Sequence, residues 1–131
     1  MENESVASKG GVEMSSPTQR TLKALRDEGY LTEVVERWNP HANIRQDLFG
    51  WIDIIAVKPG QILAVQATSY SNHSSRVKKL KTERQEQVAE WLAAGGLAEV
   101  WSWQAKQRIL KDGTAGKSKV WSARVTKIAD C

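Results

Sequence analysis

The chain has 131 residues, 40% hydrophobic and 26% charged, which suits one globular domain with a real core and is too short for two ordinary ones. No apolar run approaches a membrane span, the polar start MENESVASKGG lacks the apolar stretch of a secretory signal, and the only cysteine, Cys131, has no partner within the chain. These features predict a soluble protein of a reducing cytoplasm. The net charge of +4 is unevenly spread: Arg76, Lys78, Lys79, Lys81 and Arg84 crowd together with only Glu83 among them. Such a run fits a polyanion partner or a solvated helix face.

Residues 1–15 are rich in Ser, Gly, Glu and Asn without hydrophobic period, which predicts a disordered tail before a single domain over residues 16–131. SPTQRTLKALRDEGY reads as a helix: Ser16 is the N-cap, Pro17 the first position, Leu22 and Leu25 lie three apart, and Gly29 is the stop. LTEVVERWN reads as a strand closed by Asn39 and Pro40, and HANIRQDLFG as a loop or short irregular strand. WIDIIAV and QILAVQAT, joined by KPG, read as a hairpin with Pro59 and Gly60 in the turn. SNHSSRVKKLKTERQEQVAEWLAAGG has helical spacing at Val77, Leu80, Val88, Trp91 and Leu92, and reads as the longest helix, ended by two glycines. LAEVWSWQAKQRIL and KVWSARVTKIAD are strand-like and flank the turn-rich basic loop KDGTAGKSK. The order α-β-β-β-α-β-β predicts an α/β fold: a mixed sheet flanked by helices, with at least one parallel pair across the long helical connection. Most of the six tryptophans are expected in the core.

Two polar residues interrupt the hairpin. Alternation puts Leu63, Val65 and Ala67 on one face and Gln66 and Thr68 on the other, while Asp53 on the preceding strand can pair beside Gln66. A polar cluster on one sheet face follows. It could hold Mg²⁺ for phosphodiester cleavage, with carboxylate and carbonyl oxygens as ligands, or be a hydrogen-bonded anchor for the hairpin. Asp47 precedes Asp53 by six residues, so the LFG turn could fold it back toward the cluster, or it could cap that turn. His73 could contact phosphate or act as a base, although a lone loop histidine is commonly a surface group. Arg76, at a helix N-terminus, suits a phosphate contact.

RQDLFGWIDIIAV, ILAVQATS and SNHSSRVKKL together resemble the core of the PD-(D/E)XK nuclease superfamily, in particular its small resolvase-like and restriction-endonuclease-like branch. The resemblance covers residues 16–128. It implies a restriction-endonuclease-like fold of helix, three antiparallel strands, crossover helix and final strand. It makes Asp53 the central ligand of Mg²⁺ or Mn²⁺. Where the family carries acid, any residue, lysine, this chain has Gln66, Ala67 and Thr68. The resemblance thus implies a variant site in which Asp53 and Gln66 hold metal with Asp47 or Glu36, and Thr68 positions water or phosphate. A first-helix glutamate is replaced by Gln19, for which Glu33 or Glu36 can substitute, and the missing lysine can come from Arg76, Lys78 or Lys79. Arg45, His73, Arg76, Lys78 and Lys79 are the implied nucleic-acid contacts. Tyr70, four residues after Gln66, completes Q-x-x-x-Y, a pattern also met in recombination nucleases of the superfamily. The implied activity is that of a metal-dependent DNA endonuclease, with branched DNA among its substrates. The alternatives are a DNA-binding descendant that does not cut, and a non-enzymatic homodimeric interaction module whose polar cluster is structural.

Overall fold

The computed structural model describes residues 16–109, 113 and 115–129. The tail expected over residues 1–15 and part of the KDGTAGKSK loop lie outside the described residues.

Helix α1 (Pro17–Asp27) forms as its local signals dictate. The Ser16 side chain accepts from the Gln19 N–H at 3.2 Å, satisfying one of the free amides of the first turn, and Pro17 sits where no N–H is needed. Leu22 and Leu25 are buried on one face, and Gly29, with φ of 97°, lets the chain leave in the left-handed conformation.

Strands β1 (Leu31–Val34), β4 (Ile54–Lys58), β5 (Gln61–Ser69), β6 (Leu97–Ile109) and β7 (Ala115–Ile128) form one mixed sheet in the order β1-β4-β5-β6-β7. The β4–β5 hairpin turns at Pro59 and Gly60 as expected, with Lys58 opposite Gln61. The β5–β6 pair is parallel and the other pairs are antiparallel. The long helical connection between β5 and β6 is what permits that parallel pair.

Two expectations need correction. LTEVVERWN is not one strand: β1 stops at Val34, the Val35 N–H donates to the Asp53 carbonyl at 2.8 Å, and the chain then leaves the sheet at Glu36. Arg37–Asn39 (β2) instead pairs with Ile44–Gln46 (β3), a short strand inside the segment read as a loop or short irregular strand, to make a separate two-stranded flap. The flap turns through Asn39, whose side-chain oxygen accepts from the N–H groups of His41 and Ala42, and through Asn43 at φ of 58°. The second correction is that the long helix is two nine-residue helices, α2 (His73–Lys81) and α3 (Gln85–Ala93). Thr82 ends α2: its hydroxyl donates to the Lys78 carbonyl at 2.7 Å, and its backbone departs from helical geometry at φ −123° and ψ −76°.

Two cores lie on opposite faces of the sheet. Leu22 and Leu25 of α1 pack on Ile54, Ala56, Leu63, Val65 and Trp101. On the other face Leu80 of α2 and Val88 of α3 pack on Trp51, Ile52, Ala64, Ala98 and Val100. Each fully buried Leu, Ile or Val contributes about 1.5–3 kcal/mol relative to exposure. Trp51 and Trp101 are buried, and Trp91 and Trp103 pack at the core margins, whereas Trp38 and Trp121 are exposed. Alternation along β5 therefore gives Leu63, Val65 and Ala67 to the α1 face and Ala64, Gln66 and Thr68 to the α2–α3 face. Among the described residues no helix is long and apolar enough to cross a membrane.

Candidate metal and phosphate site

Asp53 lies immediately before β4. Its N–H donates to the Val65 carbonyl at 3.0 Å, so the hairpin register continues one step past the Ile54–Val65 pair and sets Asp53 beside Gln66. Both are buried, at 5% and 2% exposure.

Asp47 reaches the same place through the turn at residues 48–51. Leu48 and Ile52 exchange backbone hydrogen bonds of 3.0 and 2.9 Å, and Phe49 and Gly50 between them take left-handed φ values of 56° and 80°. The Asp47 backbone carbonyl, not its carboxylate, accepts from the Gly50 N–H at 3.0 Å. The carboxylate is left to accept from Gln66 Nε2 at 3.3 Å, so the turn folds Asp47 back. Glu36, delivered by the exit from β1, completes the group. One oxygen from each of Glu36, Asp47 and Asp53 lies within 4.8 Å of the others.

Such crowding is unfavourable without a counter-charge. Burial, a hydrogen bond with Asp47, the charge of Asp47 and, more weakly, that of Glu36 push the Asp53 carboxyl up to about 8, although the Ala67 N–H, donating to its Oδ2 at 3.0 Å, pulls the other way. The crowding and burial therefore favour the protonated form of Asp53. Glu36 is partly balanced by Arg45, whose Nη1 donates to Glu36 Oε2 at 2.7 Å. Gln66 carries a second sign of incompleteness: its Oε1 is buried with no hydrogen-bond partner, while its Nε2 is bound to Asp47. A buried acceptor left unpaired costs about 1–3 kcal/mol. Turning the amide over would set Oε1 against the Asp47 carboxylate, which is favourable only with a cation between them. Three carboxylates and one neutral oxygen are the donor set of a hard divalent cation such as Mg²⁺ or Mn²⁺.

Two of the three acids, Glu36 and Asp47, line a cleft of about 850 Å³, also lined by Arg37, Arg45, Lys79 and Arg84 and by the apolar Ile44 and Phe49, while Asp53 lies behind them. Arg84 enters because the chain breaks between α2 and α3, and its Nε donates to the Gly50 carbonyl at 3.1 Å. The φ of Gly50 favours glycine, and a Cβ there would stand 2.7 Å from that nitrogen, so a side chain would displace the Arg84 guanidinium. Lys79 lies three residues after Arg76 on one face of α2, whereas Lys78 points away and is exposed. Thr68 is buried two residues beyond Gln66 on the same face, opposite Ser102 of β6.

His73 is neither in a loop nor at the surface. It opens α2 fully buried, with Nδ1 2.6 Å from Ser102 Oγ and Nε2 2.7 Å from Thr126 Oγ1. Both ring nitrogens are occupied, so it holds α2 to β6 and β7 and is not placed to touch a phosphate. Tyr70 is exposed in the short 3-10 turn Tyr70–Asn72 that precedes α2, with the Arg124 guanidinium 5.8 Å from its ring. Arg84 and Arg37 line the cleft although neither is among the site residues expected from the sequence. Arg84 was visible within the basic run, but its direction depends on the helix break, and Arg37 carried no signal of its own.

The structure thus joins Asp53, Gln66, Asp47 and Glu36 in one cluster, with Arg45 and Lys79 on the adjoining cleft, and separates His73 and Lys78 from it. Comparison with protein-family models, curated proteins and solved structures finds no match for the chain.

Proposed function

We propose that the protein is a metal-dependent nuclease acting on DNA, with a variant PD-(D/E)XK site at Asp53, Gln66, Asp47 and Glu36. The observation that carries this reading is the pairing of a three-carboxylate cluster, whose buried member Asp53 is pushed toward its protonated form, with the unpartnered Oε1 of Gln66. The chain order α1, β1, β4, β5, helical crossover, β6 supports the restriction-endonuclease-like version of the fold, with the β2–β3 flap inserted after the first strand.

A divalent cation held there supplies Lewis acidity to a phosphate and makes an attacking water more acidic. The protein's own residues do the rest. Asp53, Asp47 and Glu36 provide the negative charge that binds the cation, and Gln66 a neutral oxygen in place of the family's acid. Lys79 and Arg84 stand across the cleft, where phosphate oxygens would be met, and take over the charge that Thr68 cannot supply in place of lysine.

The test is Mg²⁺- or Mn²⁺-dependent cleavage of plasmid and branched DNA by the wild type and by Asp53→Ala. Cleavage lost in the variant supports the reading, and cleavage unchanged by the substitution removes the site. Salt-sensitive binding without cleavage identifies a DNA-binding descendant that does not cut, and no binding at low salt leaves the interaction module.

A further inference from the structure

The turn that delivers Asp47 is built with the wrong residue. Leu48–Trp51 is closed by the Trp51 N–H donating to the Leu48 carbonyl at 3.2 Å, and both central residues, Phe49 and Gly50, are left-handed. This is the type I′ pattern, whose first central position favours asparagine, aspartate or glycine because a Cβ there crowds the backbone. Phe49 occupies it instead. It is the only phenylalanine in the chain, and its ring gains little from burial, being 57% exposed at the rim of the cleft. A strained, exposed aromatic ring two residues from a metal-binding carboxylate has no account in stability.

Its surroundings select the ligand. Four cations, Arg37, Arg45, Lys79 and Arg84, line the same cleft against two carboxylates, Glu36 and Asp47, and Ile44 offers a second exposed apolar side chain. A positively charged groove with a free aromatic face at its rim suits a nucleic-acid strand: cations track phosphates while the ring stacks on a base. In a duplex the base faces are already covered by their neighbours, so such a ring can stack only on an unstacked base.

We infer that Phe49 is a base-stacking residue, and that the site takes DNA with an unpaired, splayed base next to the phosphate held at the cleft, as in a single strand, flap or junction. This rests on the nuclease reading for its substrate class but not for its test, which needs no cleavage.

The experiment is fluorescence-anisotropy titration, in EDTA and low salt, of a single-stranded oligonucleotide and of a blunt duplex of the same sequence. The proteins compared are the wild type, Phe49→Ala, Phe49→Tyr, Phe49→Asn and Lys79→Ala. The wild type is expected to prefer the single strand. Phe49→Ala and Phe49→Asn should each weaken single-strand binding by about five- to hundredfold, as loss of one base–aromatic stack does. They should leave duplex binding nearly unchanged, and Phe49→Tyr should retain the preference. Phe49→Asn suits the turn, so its thermal midpoint should match or exceed that of wild type, which separates a binding defect from misfolding. Lys79→Ala should weaken both substrates alike. Single-strand binding by a folded Phe49→Asn at wild-type strength overturns the inference, as does equal loss on both substrates. If the wild type binds through Phe49 yet cleaves nothing with Mn²⁺, the inference stands and the nuclease reading falls. If it cleaves duplex DNA and Phe49→Ala makes no difference, the nuclease reading stands and the inference falls. Binding of neither substrate defeats both.

Discussion

Asp53→Asn isolates the electrostatic claim. Asparagine keeps the shape and an oxygen for the Ala67 N–H but has no proton to lose. In the wild type the Asp53 carboxyl is raised from an ordinary 3.8 to about 8, so between those values the fold binds a proton that the unfolded chain has released. Its contribution to stability is fully present below pH 4 and is lost as pH rises toward 8. At ~1.4 kcal/mol per pH unit the ceiling is roughly 6 kcal/mol, and relaxation of the cleft and entry of water reduce the expected loss to on the order of 2–3 kcal/mol. Urea denaturation in EDTA at pH 5, 7 and 9 should therefore show the wild type losing that much more stability than Asp53→Asn across the range. Mn²⁺ should act in the opposite sense. At a hundredfold excess over its dissociation constant it adds about 2.7 kcal/mol to the wild type, or roughly 10 °C in Tm for a domain of this size, and nothing to the variant. Parallel pH profiles for the two proteins, with equal stabilisation by Mn²⁺, would refute the reasoning.

Gln66→Glu adds a fourth acid to the cluster, at a buried position beside Asp53. It should lower metal-free stability at neutral pH by about 1–3 kcal/mol in urea denaturation and tighten Mn²⁺ binding in calorimetric titration. His73→Ala should cost about 2–4 kcal/mol, because it opens a cavity and strips partners from the Ser102 and Thr126 hydroxyls, with no specific effect on DNA affinity once folding is accounted for. Burial, with Arg124 nearby, holds His73 below its ordinary value of 6.5. The fold therefore keeps the imidazole neutral, and its contribution, present above that value, is lost as pH falls below it, opposite in sign to Asp53. The pH profile of His73→Ala, compared with wild type below pH 6.5, reads this directly. Gly50→Ala drives a methyl group into Arg84 at a positive φ and should cost about 1–3 kcal/mol, with weakened Mn²⁺ binding because the turn carries Asp47.

Features written in local sequence were legible. The Ser16–Pro17 start of α1, the Pro59–Gly60 hairpin and the alternation that places Gln66 apart from Leu63 and Val65 each depend on neighbours within a few residues. The meeting of Asp53 with Gln66 follows from that hairpin register. The three-residue strands of the flap are too short, and too exposed on both faces, to show a period. The break between α2 and α3 hides inside continuous helical spacing, and its consequence, Arg84 held on Gly50, joins residues 34 apart. His73 looked like a surface group because its partners lie 29 and 53 residues away, on strands whose outward pattern says nothing of a histidine. The approach of Asp47 to Gln66 was legible in the short LFG turn, whereas the arrival of Glu36 on the same cluster depends on where β1 leaves the sheet.

Crystals of the protein bathed in Mn²⁺ at pH 8.5 and measured at the manganese absorption edge test the central claim most directly. The account predicts one anomalous peak about 2.0–2.3 Å from oxygens of Asp53, Asp47 and Glu36, with the Gln66 amide turned so that Oε1 faces the ion. A protein with no peak at this cluster, and with Gln66 Nε2 still on Asp47 at saturating Mn²⁺, would contradict it.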